Sequence, residues 1–325
     1  MKVLVTGGAG FIGSHLVEKL IGYGHRVVIL DDLSTGKLSF IQSLINHVRC
    51  QFIQGSVLDR QLLKEAMESC QVVFHLAAVL GVKNTVENPL KVIEGNIDGT
   101  RNVLELAYPK KIKVIFASTS EVYGKNDQLP FCEDSNRVLG PTTKHRWCYA
   151  TAKALDEHMC LAYGEKGLPV TIVRYFNAYG PRATDTQYGG VIPQFITAAL
   201  RNNPITVFGN GEQTRCFTFI DDTVEGTLLT MDHKFNNEVF NIGSNQLLSI
   251  NQLAGKIKKL CNSLSPIIQI PYEQAYGNGY EDSKDRIADL RKSKRILNYQ
   301  ALVRIDEGLR YTIKWYKNEL NKNEN

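Results

Sequence analysis

Apolar positions in the first half of the chain alternate between two rhythms. Short β-rich runs occur at Lys2–Thr6, Arg26–Asp31, Gln51–Gln54, Val72–Leu76, Lys113–Ala117 and Val170–Tyr175. Between them, apolar residues recur at helical spacing over Phe11–Ile21, Gln61–Glu68, Ile97–Ala107 and Cys148–Tyr163. Strand–helix alternation of this kind predicts a doubly wound α/β fold, a parallel sheet with helices on both faces. The second half is less regular. Helices are expected over Val191–Arg201, Asp222–Met231, Ile250–Leu260 and Ile305–Tyr316, with short strands near Ile205–Phe208, Cys216–Ile220 and Val239–Ile242.

Composition narrows the class of partner. A chain of 325 residues with 43% hydrophobic and 22% charged positions is that of an ordinary soluble protein. No apolar run reaches the ~18 residues of a membrane span. Strand one enters a Gly-rich turn directly, so no signal peptide is expected. Seven cysteines, without CxxC or Cys/His clustering, suggest reduced thiols in a cytoplasmic setting and no metal site. The net charge of +5 is mild, and no basic stripe carries interleaved aromatics. Nucleic acid is therefore a poor partner, and a small phosphate-bearing ligand a better one.

The first chemical signal is Thr6-Gly7-Gly8-Ala9-Gly10-Phe11-Ile12-Gly13, which joins strand one to the first helix. Gly7, Gly10 and Gly13 permit a tight turn and close approach to a pyrophosphate, and Phe11 and Ile12 open the helix whose N–H groups face it. Strand two ends in Asp31-Asp32, the acidic position roughly 20 residues on that binds adenosine ribose hydroxyls. No Arg follows at Leu33, Ser34 or Thr35, which points to NAD rather than NADP. Ser56 and Val57 after strand three, and Leu76, Ala77 and Ala78 after strand four, are expected at the carboxyl edge of the sheet, over the cofactor.

The second signal is Tyr149-Ala-Thr-Ala-Lys153. One helical turn separates the two side chains, which therefore share a face. A nearby ammonium favours the charged form of a phenol that normally titrates near pH ~10, which would make Tyr149 a usable base. A small hydroxyl residue is expected on a neighbouring strand end, and Ser118-Thr119-Ser120-Glu121 supplies it.

Together with His75-Leu-Ala-Ala78, Asn96, Arg174-Tyr-Phe-Asn177 and Gly209-x-Gly211-x-Gln-Thr-Arg215, these residues resemble the extended short-chain dehydrogenase/reductase family, in its nucleotide-sugar-modifying branch. The resemblance implies a Rossmann-type NAD domain over 1–176 and a smaller α/β nucleotide-sugar domain over 177–325, with about 215–245 packing back onto the first. It implies that Tyr149 takes the sugar 4-OH proton while hydride leaves C4. Lys153 lowers the Tyr149 pKa and holds the nicotinamide ribose, and Thr119 hydrogen-bonds the 4-oxygen. Asn96, Ser118 and Tyr175 join the cofactor contacts. Asn177, Arg215 and Arg286 are expected at the substrate, Arg215 either at its diphosphate or at the sugar C6 substituent. The family pairs through two helices per subunit, so a homodimer is expected through Ile97–Ala107 and Cys148–Tyr163.

Every branch of this group first forms a 4-keto sugar. Thr119-Ser120-Glu121 resembles UDP-glucuronate decarboxylases, and also GDP-mannose dehydratases, whose NADP preference Asp31 opposes. Val191-Ile-Pro-Gln194 looks more like epimerases and dehydratases. The leading expectation is UDP-glucuronate decarboxylation, with Glu121 and Ser120 directing the second step. A UDP-hexose or UDP-hexuronate 4-epimerase, a dehydratase and a non-catalytic NAD-sensing protein are the alternatives.

Overall fold

The computed structural model describes residues 1–184, 190–276, 281 and 283–324. Six strands, β1 (Lys2–Thr6), β2 (Arg26–Asp31), β3 (Cys50–Gln54), β4 (Val72–His75), β5 (Lys113–Thr119) and β6 (Val170–Tyr175), form the body of one sheet. Glu238–Ile242 adds a seventh beside β6, and the order across the sheet is Glu238–Ile242, β6, β5, β4, β1, β2, β3. All six pairings are parallel.

Buried parallel strands carry apolar side chains on both faces, which explains their unbroken hydrophobic reading. In β1, Val3 and Val5 pack into one core with Leu16, Val17 and Leu20 of α1 (Phe11–Gly22). Leu4 between them faces the other core, with Val73, Val103, Leu104 and Cys160. The helices Arg60–Ala66, Pro89–Ala107 and Cys148–Glu165 cover that second face.

The order in which strands are added reverses between β1 and β4, since β2 and β3 lie to one side of β1 and β4, β5 and β6 to the other. A crevice at the carboxyl ends of the strands opens at such a switch point and is where α/β sheets bind ligands. The Gly7 turn and the Leu76–Ala77 segment both sit there.

Several boundaries differ from the sequence reading. The Pro89–Ala107 helix starts earlier than Ile97, with Pro89 in its first turn, where a missing N–H does no harm. The strand expected over Cys216–Ile220 divides into Thr214–Cys216 and Thr218–Phe219, and a helix starts at Ile220. The last helix runs Ile305–Glu324, beyond the Tyr316 expected from spacing. Among the described residues, no helix is long and apolar enough to cross a membrane, and no group of His, Cys, Asp or Glu is arranged to hold a metal.

Candidate active site

The Gly turn is built to receive a pyrophosphate. Gly7 has φ +69°, and a Cβ there would lie 2.8 Å from the Ala77 nitrogen. A Cβ on Gly13 would lie 2.1 Å from the Gly7 carbonyl oxygen. The backbone is therefore folded on itself too tightly for any side chain, and α1 begins at Gly10 without a side-chain cap. Its first-turn N–H groups and dipole face the switch-point crevice.

Asp31 closes the same corner. Its Oδ2 accepts from the Ala9 N–H at 2.9 Å and its Oδ1 from the Leu33 N–H at 2.9 Å. Burial pushes its carboxyl up from the ordinary value, against those two bonds. A carboxylate has lone pairs for further donors, so ribose hydroxyls remain suitable partners. Asp32 is exposed, and its carboxylate accepts from the Ser34 N–H in a local turn. These residues fit a dinucleotide: a glycine-only cradle at the helix start and an acid at the end of β2.

The remaining cofactor candidates take varied positions. The Ser56 hydroxyl accepts from the Leu58 N–H, and Val57 packs against Gly99. The Ala77 N–H donates to Thr6 Oγ1, and Leu76 hydrogen-bonds along β1. Ala78 is partly buried beside them. The Asn96 amide donates to the carbonyls of Val79 and Val92, while its Oδ1 is buried without a hydrogen bond. Ser118 differs from expectation in where its hydroxyl points. Alternation along β5 turns it inward, where it donates to Glu157. The Tyr175 hydroxyl shares a bond of 2.9 Å with Thr227.

A cleft of about 390 Å³ brings the chemical candidates together. Thr119, Glu121, Tyr149, Asn177, Arg215 and Arg286 all line it. A larger groove of about 500 Å³ beside α1 holds none of them. Thr119 ends β5 and caps the Ser120–Tyr123 turn, where its Oγ1 accepts from the Glu121 N–H at 3.2 Å. That leaves its O–H proton to donate into the cleft. Ser120 is buried and does not line the cleft.

Glu121 is no solvated strand-end acid. Its side chain is 21% exposed, and it pairs with Arg146 at 2.7 Å and with Arg286 at 3.5 Å. Burial works against ionisation, yet Arg146, Arg286 and Arg215 hold its carboxyl down to about 2. Arg286 reaches the site because Asp285–Arg286 pairs in parallel with Thr214–Cys216, which registers Arg286 against Arg215. Arg215 is itself fixed by the carbonyls of Thr214, Ser283 and Lys284. Asn177 has φ +20°, and its Oδ1 is buried without a hydrogen bond.

Tyr149 and Lys153 lie on the Cys148–Glu165 helix as expected, but the electrostatics reverse the simple reading. Burial raises the Tyr149 phenol above its ordinary value, and Glu121 and Asp156 add to that rise. The Lys153 ammonium turns instead to the Ala117 carbonyl at 2.9 Å and sits 4.4 Å over the Phe116 ring. In the protein alone Tyr149 is therefore a neutral phenol, because loss of solvation outweighs the neighbouring cation.

Two residues were given no role from sequence. Arg146, in the His145–Trp147 turn before Tyr149, is the nearest cation to Glu121. Its burial beside an acid of the Thr-Ser-Glu run is visible only in three dimensions. Glu157, one turn beyond Lys153, accepts two bonds from Arg174, at 2.9 and 2.6 Å, in the wall behind the cleft.

Residues 3–243 match a sequence profile described as the NAD dependent epimerase/dehydratase family. The chain is 49% identical to a UDP-N-acetyl-alpha-D-glucosaminuronate decarboxylase from Bacillus cytotoxicus, over 97% of this chain and 98% of that one. It is 35% identical to UDP-glucuronic acid decarboxylase 1 of Xenopus tropicalis, over 98% of this chain and 73% of the other. A crystal structure of UDP-glucuronic acid 4-epimerase from Bacillus cereus, in complex with UDP-glucuronic acid and NAD, superposes with a TM-score of 0.88 at 32% identity, covering 98% of this chain and 100% of that one.

Proposed function

Because the chain belongs to the NAD dependent epimerase/dehydratase family, we propose that it decarboxylates a UDP-hexuronate through a 4-keto intermediate. It is an NAD-dependent enzyme of nucleotide-sugar chemistry. One observation carries the choice of substrate: Arg146, Arg215 and Arg286 converge on one carboxylate, Glu121, beside Tyr149 and Thr119 in a single cleft. A site that already holds a carboxylate among three guanidiniums suits a sugar whose C6 is a carboxylate, since Arg binds that group through paired N–H donors.

The Gly7–Gly13 turn and Asp31 would hold NAD, which would supply the hydride acceptor and donor for C4. Thr119 donates a hydrogen bond to the 4-oxygen, and Tyr149, as its phenolate, takes the 4-OH proton. The resulting 4-ketone is β to the C6 carboxylate, so carbon dioxide departs and leaves an enolate. The enolate takes a proton from water at C5 before the ketone is reduced back at C4 and Tyr149 returns its proton to the 4-oxygen. Arg215 and Arg286 hold the carboxylate in place until it leaves. Asn177, with an unsatisfied buried oxygen, accepts a hydrogen bond from the sugar or nucleotide. Glu121, ionised by its arginines, orients Arg146 and Arg286 rather than serving as the resting acid. Ser120 shapes the turn from beneath.

The assay is direct. Protein with NAD and UDP-N-acetylglucosaminuronate or UDP-glucuronate is expected to release carbon dioxide, with a product lighter by ~44 mass units, the formula mass of the carbon dioxide lost after the base-assisted oxidation at C4. The 4-epimerase reading has its own support in the likeness to the Bacillus cereus structure. A product of unchanged mass and inverted C4 would decide for it.

Assembly and location follow the same reading. Leu90 and Leu155, on the Pro89–Ala107 and Cys148–Glu165 helices, are 68% and 45% exposed. Pairing of two copies across those helices would cover them in an isologous dimer. Light scattering is expected to give twice the 36.5 kDa chain mass, and a monomer at micromolar concentration would refute the pairing. All seven cysteines are free, which supports a reducing, cytoplasmic site of action.

A further inference from the structure

The scheme above leaves one acid unused. Asp156 lies one turn beyond Lys153 on the same helix, is 0% exposed, and has no well-formed hydrogen bond through either oxygen, with only marginal support from the Thr100 hydroxyl. Buried carboxylates without partners are costly and rare, so this one needs a reason.

Its surroundings supply one. Lys153 is 2% exposed, and its fixed contacts, the Ala117 carbonyl and the Phe116 ring, carry no net charge. The groups of its own helix that oppose its loss of charge are Asp156 first, then Cys160 and Glu157. Burial pushes the Cys160 thiol well up, so it is uncharged. Glu157 is held by Arg174 and Ser118. From β4, His75 is neutral, because burial and Lys153 push it down to about 3. From the Pro89–Ala107 helix, Thr100 offers a hydroxyl that also meets His75 Nε2 at 3.3 Å and helps to offset the burial of Asp156. Among the described residues facing Lys153, Asp156 is therefore the anion that no arginine claims.

We propose that Asp156 is the counter-ion of Lys153, holding its ammonium charged in an otherwise neutral pocket and so setting the alkaline limit of the Tyr149 reaction. Asp156 is a positioning residue, since it acts through Lys153 and does not line the cleft. The pair's pKa values agree with this geometry. Burial raises Asp156 to about 6, with Lys153 its main counterweight, and burial lowers Lys153, with Asp156 its main counterweight. Above pH ~6 the Asp156 carboxylate is charged and favours the ammonium of Lys153. Removing the carboxylate withdraws the largest influence raising Lys153, so the ammonium is lost at a lower pH.

The inference rests on the roles proposed for Tyr149 and Lys153, and its test reads the lysine directly as well as turnover. Protein carrying ¹³C-labelled lysine is titrated by NMR, with Lys153→Met to assign the signal. In Asp156→Asn the Lys153 midpoint is expected to fall by about one unit or more, the size of a nearby-charge effect. Asp156→Leu also removes the charge while suiting the buried site, and the same fall is expected, which decides the matter should Asp156→Asn not fold. The alkaline limb of kcat should move down with the lysine midpoint while KM for the UDP-sugar stays. A Lys153 midpoint that stays or rises overturns the counter-ion. A midpoint that falls without moving the limb overturns the link to Tyr149. Absence of any UDP-hexuronate turnover in the parent protein would instead count against the proposed function, and the lysine titration would still decide the pairing.

Discussion

Tyr149→Phe is expected to lower turnover by about 10³-fold, within the range of a lost general base and about 4 kcal/mol of barrier. The substitution removes one oxygen and keeps the ring, so NAD and UDP-sugar should bind as before. The effect is large because Glu121, the one carboxylate among the described residues of the cleft, is no substitute. Glu121 is held near pKa 2 by its arginines and is too weak a base for a sugar hydroxyl. The raised phenol adds a pH signature: the working base is the phenolate, so kcat should climb as pH rises from neutral, until Lys153 loses its proton. Following the absorbance of reduced cofactor in a single turnover checks both points. A Phe variant within tenfold of the parent would remove Tyr149 from its role.

Glu157→Gln should cost about 3–5 kcal/mol of stability, the usual penalty for stranding one partner of a buried ion pair. Arg174 is inserted between Glu157, the Tyr123 hydroxyl and the Glu133 carbonyl. The Tyr123 hydroxyl in turn donates to Asn241 on the Glu238–Ile242 strand. Without the Glu157 charge, the guanidinium keeps neutral partners only, deep in the wall. The urea midpoint should drop sharply at neutral pH, while kcat of the protein that remains folded changes much less. An unchanged midpoint would mean that the network is dispensable.

Much of this was visible in the residue order, for identifiable reasons. The six strands of the first half are buried on both faces, so their apolar runs needed no tertiary context. Gly7, Gly10, Gly13 and Asp31 were readable because the turn and the ribose site depend on local spacing. Tyr149 and Lys153 were readable as a pair because one helical turn joins them. What stayed hidden depends on partners distant in sequence. Asp285–Arg286 is too short to show a period, and it exists because Thr214–Cys216 pairs with it. Arg146 sits in a single turn of 3₁₀ helix, where no periodicity marks an inward face. The phenol moved opposite to expectation because spacing reports which charges are near but not how much water has gone. The inward hydroxyl of Ser118 follows from strand alternation, which was available once β5 was known to reach Thr119 rather than Ala117.

The sheet also has an order of manufacture. Its first six strands are complete once β6 has been made, but the neighbour that covers β6 on its outer side is Glu238–Ile242, supplied only after the chain has travelled through Val191–Leu200, Thr214–Cys216 and Ile220–Leu229. During synthesis the hydrogen-bonding edge of β6 therefore stays open while those segments emerge, and an open parallel edge is a template for foreign strands. The closing strand carries Asn241, whose side chain bonds to Tyr123, Phe131 and Asp289. The wall behind the cleft is thus locked by residues from both halves of the chain, and no ribosome-bound intermediate shorter than residue 242 contains it.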